Sequence, residues 1–217
     1  MSLVTALETA ATLGPYFTWD PYDGDSSWRP LDDLLNPAVA AERVEAGRQT
    51  LMTMSGLGRD EIGEREVASI TFLGLASRLV SPPLAALAID GVVAAPERLW
   101  WRPVPGGPIP MAYAGGTDRP ALGLVAPILE VYRERFVLSP QVLWGNVASA
   151  LGGAAGMIAR QSAFGARAFA LVEEMLGRPP LLGSATVTGR SLRRNNCCLY
   201  YRIPGGGTCG DCVLNPR

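Results

Sequence analysis

The 217-residue sequence contains no histidine and no lysine, so all 19 of its basic residues are arginine. The missing histidine removes the commonest nitrogen ligand for metals and the side chain whose ordinary pKa lies near neutrality. A soft-metal site in this chain must therefore be made of thiolates. The 19 basic residues nearly balance 20 acidic ones, which gives a formal net charge of −1. This balance indicates no nucleic-acid partner.

Targeting signals are also lacking. The N-terminal stretch MSLVTALETAATLGPYFTWDPYDGD has no basic region followed by a long apolar run, so we expect no signal peptide and a cytoplasmic location. Residues 136–159 carry no charge and are numerous enough to cross a bilayer. They are rich in Gly, Ala, Ser, Asn and Gln and include Pro140, which favours a buried, closely packed helix over a transmembrane segment. Peripheral contact with a membrane stays open.

The rest of the chain predicts a mainly α fold. Apolar spacing and capping residues predict helices over 3–13, 31–54 with an interruption near Asn36-Pro37, 60–79, a further helix from Pro82-Pro83 to about Gly91, 120–137, 140–160 and 162–176. Residues 97–114 predict a small β-hairpin, and 181–189 a strand or extended arm. We therefore divide the chain into a helical domain, 1–190, and a C-terminal metal-binding segment, 191–217.

All four cysteines lie in that segment, in the pattern C-C-x10-C-x2-C formed by Cys197, Cys198, Cys209 and Cys212. Four thiols within sixteen positions predict one metal centre. A reducing compartment disfavours two disulfides.

The residues alone favour a two-iron cluster over zinc. Structural zinc usually takes two C-x2-C knuckles, and only the second cysteine pair has that spacing. Adjacent cysteines in an extended strand point to opposite faces, which suits a larger cluster with four separated ligand positions. Zinc and redox-active thiols remain as alternatives.

Other residues near the cysteines are candidates for contacting a ligand or a redox partner. From residue 190 onward the sequence contains one acid, Asp211, and five arginines (190, 193, 194, 202 and 217). Arg193, Arg194 and Arg202 flank the cysteines, and Trp144 and Asn146 lie in a Gly/Ala-rich helix that is able to form a pocket wall. The alternatives are that the arginines only neutralise thiolates, that Trp144 is core, and that Asn146 bonds a neighbouring backbone.

The cysteine pattern with its YRIPGGGTCGDC context, together with LWGNVASAL at 143–151, resembles the FhuF-like ferric-siderophore reductases. The resemblance implies a [2Fe–2S] cluster held by Cys197, Cys198, Cys209 and Cys212. It also implies that residues 1–190 are a siderophore-reductase-like domain. The implied activity is that of a cytosolic oxidoreductase, which passes one electron to Fe(III) held by a hydroxamate siderophore and releases Fe(II).

The electron source is expected to be a separate protein. GLGRDE at 56–61 has Glu61 where a dinucleotide-binding motif needs its third glycine, and no Walker A sequence occurs. We expect a ferredoxin-like protein or a flavin reductase as donor. The alternatives from another class are a non-enzymatic, zinc-stabilised binding domain and an iron–sulfur sensor of iron or redox state.

Overall fold

The predicted mainly α architecture is confirmed by a computed structural model that describes residues 2–116 and 121–215. Within these ranges the helices are α1 (Leu3–Ala11), α2 (Pro37–Ser55), α3 (Glu64–Asp90), α4 (Ala121–Arg135), α5 (Pro140–Gln161) and α6 (Gly165–Leu176). Short 3-10 turns precede α2 and α3. The first residue of the helix predicted over 120–137 lies outside the described residues.

Helix α3 corrects one prediction, because it runs unbroken through Pro82-Pro83 where two helices were expected. Pro82 has no N–H to donate to the carbonyl oxygen of Arg78 four residues earlier. The indole Nε1 of Trp19 donates to that oxygen instead, at 2.9 Å. Both prolines are buried, so packing and this substitute hydrogen bond keep the helix continuous.

The hairpin predicted over 97–114 is present as β3 (Arg98–Trp101) and β4 (Met111–Ala114), paired antiparallel. Two outer strands that the sequence did not predict complete a four-stranded sheet. They are β1 (Asp20–Pro21), parallel to β4, and β2 (Arg29–Pro30), antiparallel to β3. The sheet covers one side of the helical core.

A second hairpin leads into the cysteines. Strands β5 (Ala185–Thr188) and β6 (Ser191–Arg194) pair antiparallel, and they pack on α5 and α6. Alternation along β6 turns Leu192 and Arg194 inward, where they are buried. Because Cys197 follows three residues after Arg194, this strand sets where the metal-binding segment begins.

Among the described residues, α3 and α5 are long and apolar enough to span a membrane by length and composition alone. The most apolar window of α3 is 72% buried inside the fold, and that of α5 is 56% buried. The two helices pack against each other at the centre of the core. Their apolar character is therefore explained by packing, as the composition of 136–159 predicted.

Close packing between α5 and β6 requires a glycine at position 152. A Cβ placed there would lie 2.8 Å from two side-chain carbons of Leu192, whereas a Cβ on the neighbouring Gly153 would meet no atom within 4 Å. The two glycines share one helix and differ only in what they face.

We predict opposite effects for Gly152→Ala and Gly153→Ala. Both substitutions gain helix propensity of up to about 1 kcal/mol, but only Gly152→Ala overpacks the contact with Leu192, at a cost of about 1–3 kcal/mol. Urea unfolding should show Gly153→Ala more stable than wild type and Gly152→Ala the less stable of the pair. Equal stabilities would mean that α5 and β6 are not closely packed.

Candidate metal centre

The metal-binding segment folds back on β6. The backbone N–H of Arg194 donates to the carbonyl of Asp211 at 2.9 Å, and that of Asn195 donates to Ser184 at 2.9 Å. Leu199, with φ of 70°, bends the chain directly after the vicinal cysteines and begins a 3-10 turn, Tyr200–Arg202. Both cysteine pairs are thereby brought to one end of the second hairpin.

The four cysteines are unbonded thiols, with Cys198 and Cys212 buried and Cys197 and Cys209 half-buried. The Sγ atoms of Cys198 and Cys209 are 3.7 Å apart. Two sulfurs bound at about 2.3 Å to one tetrahedral metal lie roughly 3.8 Å apart, so this pair is spaced as two ligands of one ion. Each of these two cysteines comes from a different half of the motif.

Backbone N–H groups approach the other two sulfurs. Leu199 donates to Sγ of Cys197 at 3.3 Å, and Leu214 donates to Sγ of Cys212 at 3.4 Å. Hydrogen bonds of this kind stabilise thiolate ligands and are one determinant of an iron–sulfur cluster's potential.

The donor set fits a two-iron centre. Across residues 2–116 and 121–215, no group of three or more His, Cys, Asp or Glu side chains is placed to hold one metal ion. A [2Fe–2S] cluster takes two thiolates on each of its two irons. The four cysteines supply that number of sulfurs, with one pair at ligand spacing and a backbone N–H donor to each of the other two.

A buried arginine lies behind the cysteines. Arg194 has no solvent exposure, and its guanidinium contacts Sγ of Cys209, donates to Oδ1 of Asp211 at 3.2 Å and donates to Oδ1 of Asn146 at 3.1 Å. Asn146 in turn donates to the carbonyl and hydroxyl oxygens of Ser69, both at 2.9 Å. A hydrogen-bonded chain thus runs from α3 through α5 and β6 to a cysteine.

Burial and nearby charges shift the pKa values of Cys197, Cys209 and Arg194. Burial raises the pKa of the Cys197 thiol, and it raises the pKa of Cys209 despite the opposing charge of Arg194. Burial alone would lower the pKa of Arg194, but Asp211, Cys198 and Cys209 bring it above its ordinary value. The metal-free thiols of Cys197 and Cys209 are therefore protonated at neutral pH, and ligation must release their protons beside a permanent positive charge.

The other predicted contact residues occupy different places. Arg193 donates to the carbonyls of Val213 and Asn215, at 2.8 and 2.7 Å, and so fastens the end of the segment. Arg202 has half of its side chain exposed and lies 3.5 Å from Glu66.

Trp144 is half-buried and lines a surface cavity of about 210 Å³. Arg194 and Asn146 have no access to solvent, and they lie behind the cysteines. Arg217 is outside the described residues.

Two residues that the sequence did not single out complete the site. Ser69 anchors Asn146 although 77 positions separate them, and no local signal could have found it. Gly145 is closely approached by Asn196, because a Cβ there would lie 1.7 Å from Oδ1 of Asn196 and would displace that side chain.

Comparison with known families agrees with this site. The family model described as the FhuF 2Fe-2S C-terminal domain matches residues 194–214. The match begins at the buried arginine and includes all four cysteines. A search of curated proteins found no match to the chain. The C-terminal segment is therefore an iron–sulfur domain of the FhuF type, and its cofactor is a [2Fe–2S] cluster.

We predict that Arg194→Gln lowers the reduction potential of the cluster. A positive charge and a hydrogen bond beside Cys209 both stabilise the reduced cluster, which is the more negative state, and the substitution removes both. We expect a decrease on the order of 50 mV. For a one-electron couple this is a little less than a tenfold change in the equilibrium constant for reduction, because a tenfold change corresponds to about 59 mV.

The matched control is Arg193→Gln, because Arg193 contacts backbone carbonyls rather than sulfur. Potentials would be measured by optical redox titration, with iron content checked in each variant. Arg194→Lys keeps the charge and should retain part of the potential. Equal shifts in the two glutamine variants would contradict a specific effect of Arg194.

We also predict that serine at Cys197 or Cys198 abolishes the native visible absorption and circular dichroism of the cluster. A serine hydroxyl is a poor ligand for iron at neutral pH because it stays protonated. Thr208→Ser is the control, since it keeps the hydroxyl that hydrogen-bonds Asn215 next to Cys209. Native spectra in both cysteine variants would show that the ligand set is different.

Proposed function

We propose that the protein is a cytoplasmic ferric-siderophore reductase. It passes one electron to Fe(III) held by a hydroxamate siderophore, so that Fe(II) is released for iron assimilation. The observation that carries this proposal is the FhuF-type iron–sulfur segment, in which Cys197 and Cys209 are only half-buried.

Elementary chemistry supports reduction as the route to release. Ferric iron is a hard ion gripped by anionic oxygens, and one added electron makes it larger and softer. The affinity of the iron for those oxygens falls, so the metal is released and the chelator does not have to be broken down. When bound, the [2Fe–2S] cluster supplies the one-electron couple. No proton transfer by an imidazole is required, which suits a chain without histidine.

The surface beside the cysteines has the character of a docking site. The loop of Gly205, Gly206 and Gly207 leaves room for close approach, since two of these glycines are exposed and none carries a side chain. Tyr201 has 45% of its surface exposed, and the guanidinium of Arg202 lies 5.9 Å from its ring centroid. An aromatic surface beside a cation is suited to a bulky polar chelate.

The positive charge of the exposed arginines favours an acidic electron donor. Arg190 and Arg202 are exposed in the stretch 190–215 that carries the cysteines, and its one acid, Asp211, pairs with Arg194. Arg202 also lies 3.5 Å from Glu66 of α3. We propose a ferredoxin-like protein or a flavin reductase as the donor, steered by these arginines.

The reductase activity is tested in a single turnover. Protein reduced anaerobically and freed of excess reductant is mixed with a ferric hydroxamate chelate and a ferrous trap. We expect one Fe(II) trapped per cluster, together with return of the oxidised cluster spectrum. Absence of Fe(II) while the cluster stays intact would contradict the proposal and favour an iron–sulfur sensor.

Donor docking gives a further prediction. Arg202→Glu should slow reduction by an acidic donor several-fold and weaken the dependence of the rate on salt. Arg98→Glu on β3 is the control, since it makes the same charge change outside the metal-binding segment. Stopped-flow absorption measures both rates. Equal slowing in the two variants would mean that net charge alone, rather than Arg202, matters.

A further inference from the structure

A cavity of about 200 Å³ lies between α2, α3, α4 and the loop joining β3 to β4. None of its lining residues belongs to the metal-binding segment. Its wall is mostly apolar and includes Leu34, Leu51, Ile70, Leu75, Val104 and Ile109. Two polar side chains that line it, Arg43 and Tyr132, lack the partners that buried polar groups normally have.

Arg43 is half-buried, and its guanidinium lies 5.5 Å from the ring centroid of Trp101. Within residues 2–116 and 121–215, no carboxylate is close enough to form an ion pair with it. Burial lowers the pKa of Arg43, and the nearby Arg29 acts in the same direction. This cation is therefore partly desolvated without a compensating anion, which is costly unless something supplies one.

Two other buried arginines have contacts that Arg43 lacks. Arg78 donates to the carbonyls of Ile109, Pro15 and Thr18. Arg48 forms an ion pair with Glu45 at 3.6 Å, although its buried Nε has no hydrogen-bond partner among the described residues. Among the described residues Arg43 has neither an ion pair nor a carbonyl acceptor of this kind.

Tyr132 supplies the second donor. Its side chain is fully buried, and among the described residues its hydroxyl has no hydrogen-bond partner. Burial raises the pKa of this phenol, so it keeps its proton at neutral pH. An unpartnered buried hydroxyl calls for an explanation such as a missing ligand.

We propose that this cavity binds a small monocarboxylate through Arg43 and Tyr132. The two oxygens of a carboxylate accept hydrogen bonds from the guanidinium and from the phenol, while the apolar wall takes a short hydrocarbon chain. A ferric hydroxamate complex is too large, since pockets for drug-sized ligands occupy about 300–1,000 Å³. The site is thus separate from the proposed reduction of a siderophore.

The cluster-loaded full-length protein would be titrated calorimetrically with butyrate and hexanoate, and separately with the matching alcohols and with inorganic phosphate. We expect saturable binding of the carboxylates and much weaker binding of the alcohols. Arg43→Gln should reduce carboxylate affinity roughly 10- to 100-fold, the loss expected for one charge-assisted hydrogen bond. Arg29→Gln is the matched control, because Arg29 also lies over Trp101 but pairs with Asp33 and does not line the cavity.

Two further variants keep the test independent of the arginine. Tyr132→Phe should weaken binding roughly two- to tenfold and raise the melting temperature of the ligand-free protein, since it removes an unpartnered polar atom. Gly74→Leu should block binding without loss of folding, because a Cβ at this cavity-lining glycine meets no atom within 4 Å. Equal binding of alcohols and carboxylates, binding of phosphate alone, or no binding of any probe would overturn the proposal.

Discussion

The site depends on a guanidinium that has no contact with water. Arg194 is fully buried, so its charge must be compensated by the protein that surrounds it. Asp211 supplies the opposite charge with Nε and Oδ2 3.0 Å apart, and Asn146 and Cys209 take other contacts. Because these partners come from α5 and from the cysteine loop, satisfying one charge fixes the loop against the helical body.

That constraint reaches well into the fold. Asn146 can face Arg194 only because Ser69 on α3 holds its amide, and β6 can approach α5 only because Gly152 leaves room for Leu192. The two longest core helices therefore carry the platform on which the cysteines are presented. Helix α3 keeps its length through two prolines because Trp19 replaces a lost backbone donor.

Much of the fold and of the metal site could be predicted from the sequence. The features that could not be predicted depend on contacts between residues that are far apart in the chain. Local periodicity found the helices and the hairpin, and the spacing of the cysteines indicated a two-iron cluster. The continuity of α3 could not be predicted from the local sequence, because the side chain of Trp19 in a distant loop supplies the hydrogen bond that Pro82 lacks. Strand alternation implies that one of Arg193 and Arg194 points inward, but only the partners on α5 determine that it is Arg194.

The central claim is that the C-terminal cysteines hold a two-iron, two-sulfide cluster. It is tested most directly by assaying iron, acid-labile sulfide and zinc in the protein purified anaerobically. The account predicts two irons and two sulfides per chain, no zinc, and a brown colour that bleaches on one-electron reduction. One zinc per chain without sulfide would contradict it.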